Sequence, residues 1–213
     1  MTGSPVFDEA FREHLADLIA WRRDVRRFRG DPVPEETLKD CLALACLSPS
    51  VGNSQPWRFV RVADAARRAA VVANFSRCNE EAAERYPDER AAAYRRLKLE
   101  GLREAPVHLA VFCDEETQVG HGLGRATMPE MLRYSVVLAI HTFWLAARAR
   151  GIGVGWVSIL DPAPLSAILA VPAAWRLVAY LCVGHPQEEH ADPELVRHDW
   201  QQRLAPESLL IER

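Results

Sequence analysis

The run Trp21-Arg22-Arg23-Asp24-Val25-Arg26-Arg27 sets four guanidinium groups around one carboxylate. The loop Ser48-Pro49-Ser50-Val51-Gly52-Asn53-Ser54-Gln55-Pro56-Trp57 follows about twenty-five residues later. Guanidinium forks bind phosphate oxygens two at a time and stay charged at every working pH, so three of these arginines can converge on one phosphate monoester. The competing reading is a solvated basic helix end that complements the helix dipole. In the loop, serine, asparagine and glutamine offer donors and acceptors suited to a polyol chain, and a rigid Pro-Trp step opens a strand. Taken alone, a loop of this composition is more often just a turn.

Outward from these two stretches the chain alternates helix and strand. Phe7, Phe11, Leu15, Leu18 and Ile19 recur at helical spacing, so an amphipathic helix delivers the arginine run at its C-terminal end. Gly30-Asp31-Pro32-Val33-Pro34 breaks the chain. Glu35 and Glu36 in a first turn, with Leu38, Leu42 and Ala45 behind them, predict a second helix ending at Ser48-Pro49-Ser50. Residues 57–62, 107–113, 154–159 and 177–183 are rich in β-branched and aromatic side chains and read as strands, three of them apolar on both faces. Residues 63–105 are rich in Ala, Glu and Arg and predict helix, broken at Tyr86-Pro87-Asp88 and at Gly101; this is a candidate lid. Residues 134–147 carry His141 as their one readily charged side chain. Such a helix should be buried on every side, with a second subunit over one face, and it is too short to span a bilayer. Strands separated by helices give an α/β-type sandwich. Gly151-Ile152-Gly153-Val154-Gly155 and Gly122-Leu123-Gly124 lack the spacing and context of a dinucleotide fingerprint.

At 213 residues, 49% hydrophobic and 26% charged, the chain suits one domain spanning 1–213 around one sizeable core. A formal net charge of -3 and a sequence pI near 6.2 give no basic field for nucleic acid or an anionic membrane, so any anion site must be local. Cys41, Cys46, Cys78, Cys113 and Cys182 are odd in number and lack C-x-x-C spacing, and read as buried thiols in a reducing compartment. Residues 1–10 have no apolar leader core, which points to the cytoplasm. The seven histidines show no metal-ligand spacing, so no metal is expected. Trp144, Trp156 and Trp175 read as core, with Trp156 also a candidate wall of a ligand site.

Arg22-Arg23-Asp24-x-Arg26, taken with Pro49-Ser50-x-x-Asn53-x-Gln55-Pro56-Trp57, resembles the FMN-binding signature of the nitroreductase family. The resemblance implies an α+β sandwich with a central, mostly antiparallel sheet flanked by helices, in an intertwined homodimer. It also implies phosphate and ribityl contacts from Arg22, Arg23, Asp24 and Arg26, with Pro49, Ser50 and Asn53 reaching the flavin from the partner subunit. Arg203 would complete the phosphate site, and Gln55, Leu99, Trp156, Val157 and Ser158 would join the cofactor contacts.

Three further stretches resemble one branch of that family, which breaks reduced FMN down with oxygen. Asp24 stands where ordinary members carry serine, residues 94–101 match the branch's lid, and Leu123-Gly124-Arg125 leads to Pro129, Met131, Tyr134 and Ser135. Gly153 to Ile159 matches the strand at the flavin N5 edge, with the branch's serine at Ser158; Asn53-Ser54 follows the generic family form instead. The activity implied is fragmentation of reduced FMN to 5,6-dimethylbenzimidazole and erythrose 4-phosphate in cobalamin biosynthesis, with molecular oxygen as co-substrate. A separate flavin reductase would draw on NAD(P)H. Asp24 would be the acid/base group, kept ionised by its arginine neighbours. Ser158 would hold the N5 edge, and residues 91–101 would close over a dry site with Gly101 as hinge. An arginine-bound Asp24 with no catalytic part, and a Ser158 bonded only to backbone, are the structural alternatives. At the level of activity the rivals are an NAD(P)H-dependent nitro- or quinone reductase that keeps its FMN, and a flavin-binding dimer without turnover.

Overall fold

Residues 107–113 are apolar apart from His108, so both faces of the strand they form must be covered. The computed structural model describes residues 3–213 and shows how. Its strands are β1 (Trp57–Arg61), β2 (Val107–Asp114), β3 (Gly153–Val157) and β4 (Trp175–Gly184), and its helices are α1 (Glu9–Trp21), α2 (Glu35–Ala45), α3 (Ala65–Ala83), α4 (Asp88–Arg96), α5 (Met131–Arg148), α6 (Pro162–Ile168) and α7 (Glu194–Arg197). The strands form one antiparallel sheet in the order β1-β2-β4-β3.

Strand alternation divides the side chains between two cores. Leu109, Val111 and Cys113 of β2 join Ala179, Leu181 and Val183 of β4 beneath α2 and α5. Ala110 and Phe112 join Tyr180 and Cys182 on the other face, against α3, α6, Phe28 and Leu102. The layers are therefore helix, sheet, helix, the α+β sandwich expected. His108 sits on this second face, fully buried, with Nδ1 2.9 Å from the Tyr180 hydroxyl. Burial pulls its imidazole down to about 4 and pushes the Tyr180 hydroxyl above its ordinary range.

The helices begin where the sequence signals them. Asp8 caps α1 by accepting the Phe11 N–H at 2.9 Å, and Asp64 caps α3 by accepting the Arg67 N–H at 2.8 Å. The break at 86–88 separates α3 from α4, which Pro87 precedes. A Cβ at Gly101 would run into the Phe28 ring, so the missing side chain lets the lid base pack against the 24–28 segment.

One strand boundary changes. The strand read as 154–159 stops at Val157, because Asp161 already caps α6 by accepting the Ala163 N–H and the chain must turn before it. Helix α5 packs one face on the sheet and leaves an apolar stripe of Tyr134, Val137 and Leu138 exposed, the kind of face for which a second subunit is expected. Helix α1 buries no residue, leaving Phe11, Leu15 and Ile19 in solvent. Of the thiols, Cys41, Cys113 and Cys182 are buried, whereas Cys78 is half-buried and Cys46 exposed. No helix among the described residues is long and apolar enough to cross a membrane.

Candidate active site

After α1 the arginine run leaves helical geometry and lies along the edge of β3. Asp24 bridges Val154 in parallel, and the Val25 N–H donates to the Val154 carbonyl at 3.0 Å. Gly153 and Gly155 make this possible: a Cβ at 155 would overlap the Val25 carbonyl oxygen, and one at 153 would press on the Val25 side chain. The glycines that fail as a nucleotide fingerprint therefore serve the close approach of two backbones.

Docked this way, the run splits its arginines. Arg27 turns to Glu188 and Glu194, at 3.0 and 3.1 Å. Arg22, Arg23 and Arg26 line a cavity with Arg203, Gln201 and Gln202. The Arg22 guanidinium lies 4.8 Å over the Trp144 ring, whose Nε1–H donates to the Arg23 carbonyl at 3.1 Å. Arg23 donates through Nε to the Ala191 carbonyl at 2.9 Å. Sequence reasoning missed Trp144 as a site residue, since a tryptophan at the end of an apolar helix carries no signal beyond core packing.

Two acids line the same cavity, and both are committed: Asp24 to Arg26, and Glu194 to Arg27. Among the described residues Arg22, Arg23 and Arg203 thus make no ion pair, although Asp24 acts on Arg22 and Asp192 on Arg23 from a distance. Burial, first, and repulsion among these arginines hold Arg22 and Arg23 below the ordinary arginine value, with Asp24 acting the other way on Arg22. A local excess of buried positive charge of this kind suits a phosphate dianion, so the residues fit the phosphate end of FMN.

Asp24 occupies the floor of the site. Its Oδ1 accepts the Trp156 N–H at 2.8 Å and its Oδ2 accepts Arg26 Nε–H at 3.0 Å. Although a third of the side-chain surface remains open, burial raises the carboxyl above the usual carboxylate range, outweighing Arg26, the Trp156 N–H and Arg22. Arg26 and Arg22 favour the charged form as expected, but burial outweighs them and sets the direction of the shift. Trp156 and Val157 continue along β3, and Trp156 lies 6.4 Å from Trp144. Ser158 lies past the strand's end and is exposed rather than held within the buried strand. Leu99 lies at the lid base, half-buried against the second core.

Pro49, Ser50, Asn53 and Gln55 are elsewhere. Ser50 Oγ accepts the Gln55 N–H at 3.1 Å, and Asn53 and Gln55 both take positive φ, at 52° and 43°. The loop docks on α5 through Val51 N–H to Ser135 Oγ at 3.0 Å and Ser48 Oγ to Thr142 at 2.7 Å. Trp144, which holds the arginine run, is nine residues from Ser135, and at roughly 100° per residue that is the opposite face of the helix. One chain therefore sets the two halves of the expected site on opposite sides of α5.

Comparison with known proteins agrees with this architecture. The Nitroreductase family model matches residues 19–185. The chain is 64% identical to a 5,6-dimethylbenzimidazole synthase of Rhodospirillum rubrum, over 95% of this chain and 96% of that one. It is 46% identical to a 5,6-dimethylbenzimidazole synthase of Rhodobacter capsulatus, over 94% and 97%. Among solved structures it is similar to an iodotyrosine deiodinase bound to FMN and 3-iodo-L-tyrosine, with a TM-score of 0.70 and 28% identity over 83% and 91% of the two chains. A BluB-like flavoprotein from Clostridium difficile 630 shares the fold, with a TM-score of 0.69 at 20% identity over 93% and 98%. With a family model spanning most of its length and close relatives covered almost end to end, this chain belongs to the nitroreductase family.

Proposed function

We infer that this chain is a 5,6-dimethylbenzimidazole synthase, converting reduced FMN and oxygen to 5,6-dimethylbenzimidazole and erythrose 4-phosphate for cobalamin (vitamin B12) biosynthesis. The observation that carries the reading is Asp24, a carboxyl fixed at the edge of β3 beside Arg22, Arg23 and Arg203, which form no ion pair among the described residues. Its relatives of the same length carry that activity in their names.

Arg22, Arg23 and Arg203 hold the phosphate, and the edge of β3 at Trp156, Val157 and Ser158 lines the ring system. When bound and reduced, FMN supplies the electrons that activate oxygen and is itself the molecule taken apart. Asp24 accepts a proton near the ribityl chain; a carboxyl raised by burial is a better base than a free one and can return that proton later. The lid, α4 and the segment to Gly101, keeps water out while oxygen reacts. Ser50, Asn53 and Gln55 come from a second copy of the chain. The split of the site across α5 motivates this, since a homodimer built on Tyr134, Val137 and Leu138 would cover that apolar stripe and bring one chain's loop to the other's arginines. The protein works in the cytoplasm as a single domain, supplied with reduced FMN by a separate flavin reductase that uses NAD(P)H.

Mass spectrometry of the small molecules formed when photoreduced FMN, air and the protein are mixed tests the reading. Stoichiometric bleaching of FMN with appearance of the benzimidazole is expected. Intact flavin with catalytic oxidation of NAD(P)H would assign a nitro- or quinone reductase instead, and intact flavin without turnover would assign a flavin-binding dimer.

A further inference from the structure

We propose that Arg26 is a positioning residue that ties the base of the lid to Asp24, and is not a ligand of the phosphate. Its guanidinium bridges two acceptors from segments far apart in the chain. Nε donates to Asp24 Oδ2 at 3.0 Å, and Nη1 donates to the Lys98 carbonyl at 2.8 Å. Only 11% of its side chain is exposed, so it has little freedom to swing toward a ligand. Among the described residues Arg22 and Arg203 make no such double bond, and Arg23, which donates to the Ala20 and Ala191 carbonyls, is tied to neither the lid nor Asp24 and keeps Nη1 for the anion.

The lid base is built to present that carbonyl in one place. Gly101 lies against the Phe28 ring, and a Cβ there would be 3.3 Å from the Arg26 carbonyl. The Lys98 ammonium is drawn away from the site to Glu104, at 2.5 Å. Buried Glu100 accepts the Leu102 N–H and faces Arg103 at 3.3 Å, which stiffens the turn that follows. A planar fork with one arm on the lid and one on the carboxylate can satisfy both only when the lid is seated. Lifting the lid base removes one acceptor, frees the guanidinium to rotate and loosens the orientation of Asp24. The acid/base group is therefore in register only while the site is closed to water, the condition under which reduced flavin and oxygen can be steered together.

This inference rests on the flavin-fragmenting reading for its consequence, but its geometry can be tested without flavin. In the unloaded protein, Arg95, Arg96 and Lys98 are tryptic sites within or beside the lid. Arg26→Met should raise the rate of cleavage there about tenfold, since local opening is no longer opposed by a charge-assisted hydrogen bond. FMN affinity should fall less than tenfold, against a hundredfold or more for Arg22→Met. Benzimidazole formation should fall by about ten- to hundredfold, the factor that one charge-assisted hydrogen bond carries. The acid limb of its pH profile should also move to higher pH, because Arg26 is the leading charge that lowers Asp24; the other groups facing that carboxyl are Arg22 and the Cys182 thiol. Arg26→Lys, a point donor, should recover the pH profile in part and lid protection hardly at all. Gly101→Ala, pushing the lid base off Phe28 from the other side, should mimic the cleavage of Arg26→Met while still binding FMN. Unchanged tryptic cleavage in both variants, or loss of FMN binding by Arg26→Met equal to that of Arg22→Met, would overturn the assignment. A wild type that makes no benzimidazole would sink the functional reading alone, with the lid measurement still deciding the role of Arg26.

Discussion

Replacing Asp24 by asparagine keeps the shape and removes the charge, and the two hydrogen bonds it accepts set the size of the effect. Oδ1 faces the Trp156 N–H at 2.8 Å and Oδ2 faces Arg26 Nε–H at 3.0 Å, so both neighbours are donors. Asparagine has one acceptor oxygen, and in either flip its NH2 must confront a donor. Leaving one buried donor unpaired costs about 1–3 kcal/mol. Against this, the buried carboxylate was itself held above its usual pKa, and removing it relieves that desolvation, so the net loss should lie near the lower end. For a chain of this length about 1 kcal/mol lowers Tm by roughly 2–4 °C, and the variant should stay folded. FMN affinity should hold or rise, because Asp24 is the carboxylate that offsets Arg22. Benzimidazole formation should drop by about 10²–10⁴-fold, the range for loss of a positioned acid/base group. Thermal melts, flavin fluorescence titration and mass spectrometry of the products read the three quantities separately. A variant that makes benzimidazole at the wild-type rate refutes the catalytic role, and one that no longer binds FMN shows that Asp24 belongs to the binding site instead.

His108 is neutral and buried in the folded chain, at about 4 against an unfolded 6.5. The unfolded chain therefore binds the proton first, and stability is lost as pH falls through this window, by about 2 kcal/mol at pH 5. Urea unfolding of wild type and His108→Gln at pH 7.5 and 5 should differ by that amount, and parallel pH dependences would remove His108 from the account. Gly155→Ala would drive a methyl into the Val25 carbonyl; a loss of about 3 kcal/mol and weakened FMN binding are expected, and wild-type FMN affinity in this variant would contradict the docking of 24–28 on β3. Leu138→Arg, in the exposed stripe of α5, should give a folded monomer by gel filtration and circular dichroism that binds FMN poorly. A monomer with full affinity would show that one chain makes the whole site.

What the sequence disclosed was whatever depends on local period and chemistry. The acids of the first turn of α2, the Pro87 break before α4 and the short apolar run of β2 each act within a few residues, and each marked its element. The split roles of Arg26 and Arg27 depend instead on partners 72 and 161 or more residues away, Lys98 on one side and Glu188 and Glu194 on the other. No spacing rule reaches them. The glycines of 151–155 were visible, but their use was not: only the docked Val25 explains why 153 and 155 can carry no side chain. Asp24 shows the same limit in electrostatics. Its neighbours in sequence argue for a lowered pKa, whereas burial, which no neighbour reveals, sets the direction. For α5 the excess of apolar residues signalled a cover, and the fold identifies the stripe that needs it, Tyr134, Val137 and Leu138.

The electrostatic strain of the fold is concentrated at the arginine cavity. Away from the arginine cavity, Asn74 donates to the Asp161 carbonyl and accepts the Asp161 N–H, and Ser48 is bonded to Thr142, while His108 Nε2 and Glu104 Oε2 find no partner among the described residues. Around the cavity the burden falls on charges. Arg22 and Arg23 are pushed down by burial and by one another's charge, and Asp24 is pushed up. In the loop on the far side of α5, Ser54 Oγ is buried without a partner. A site that leaves like charges together and polar atoms unsatisfied lowers the stability of the empty protein, and a ligand that supplies the missing anion and partners gains what the fold lost. Such an arrangement selects for a phosphorylated, polyhydroxylated ligand over a neutral flavin of the same ring. FMN should therefore raise Tm by several degrees at a hundredfold excess over Kd, about 2.7 kcal/mol, while riboflavin at the same concentration should raise it far less. Equal stabilisation by the two would mean that the arginines face solvent in the working protein and that the phosphate is held elsewhere.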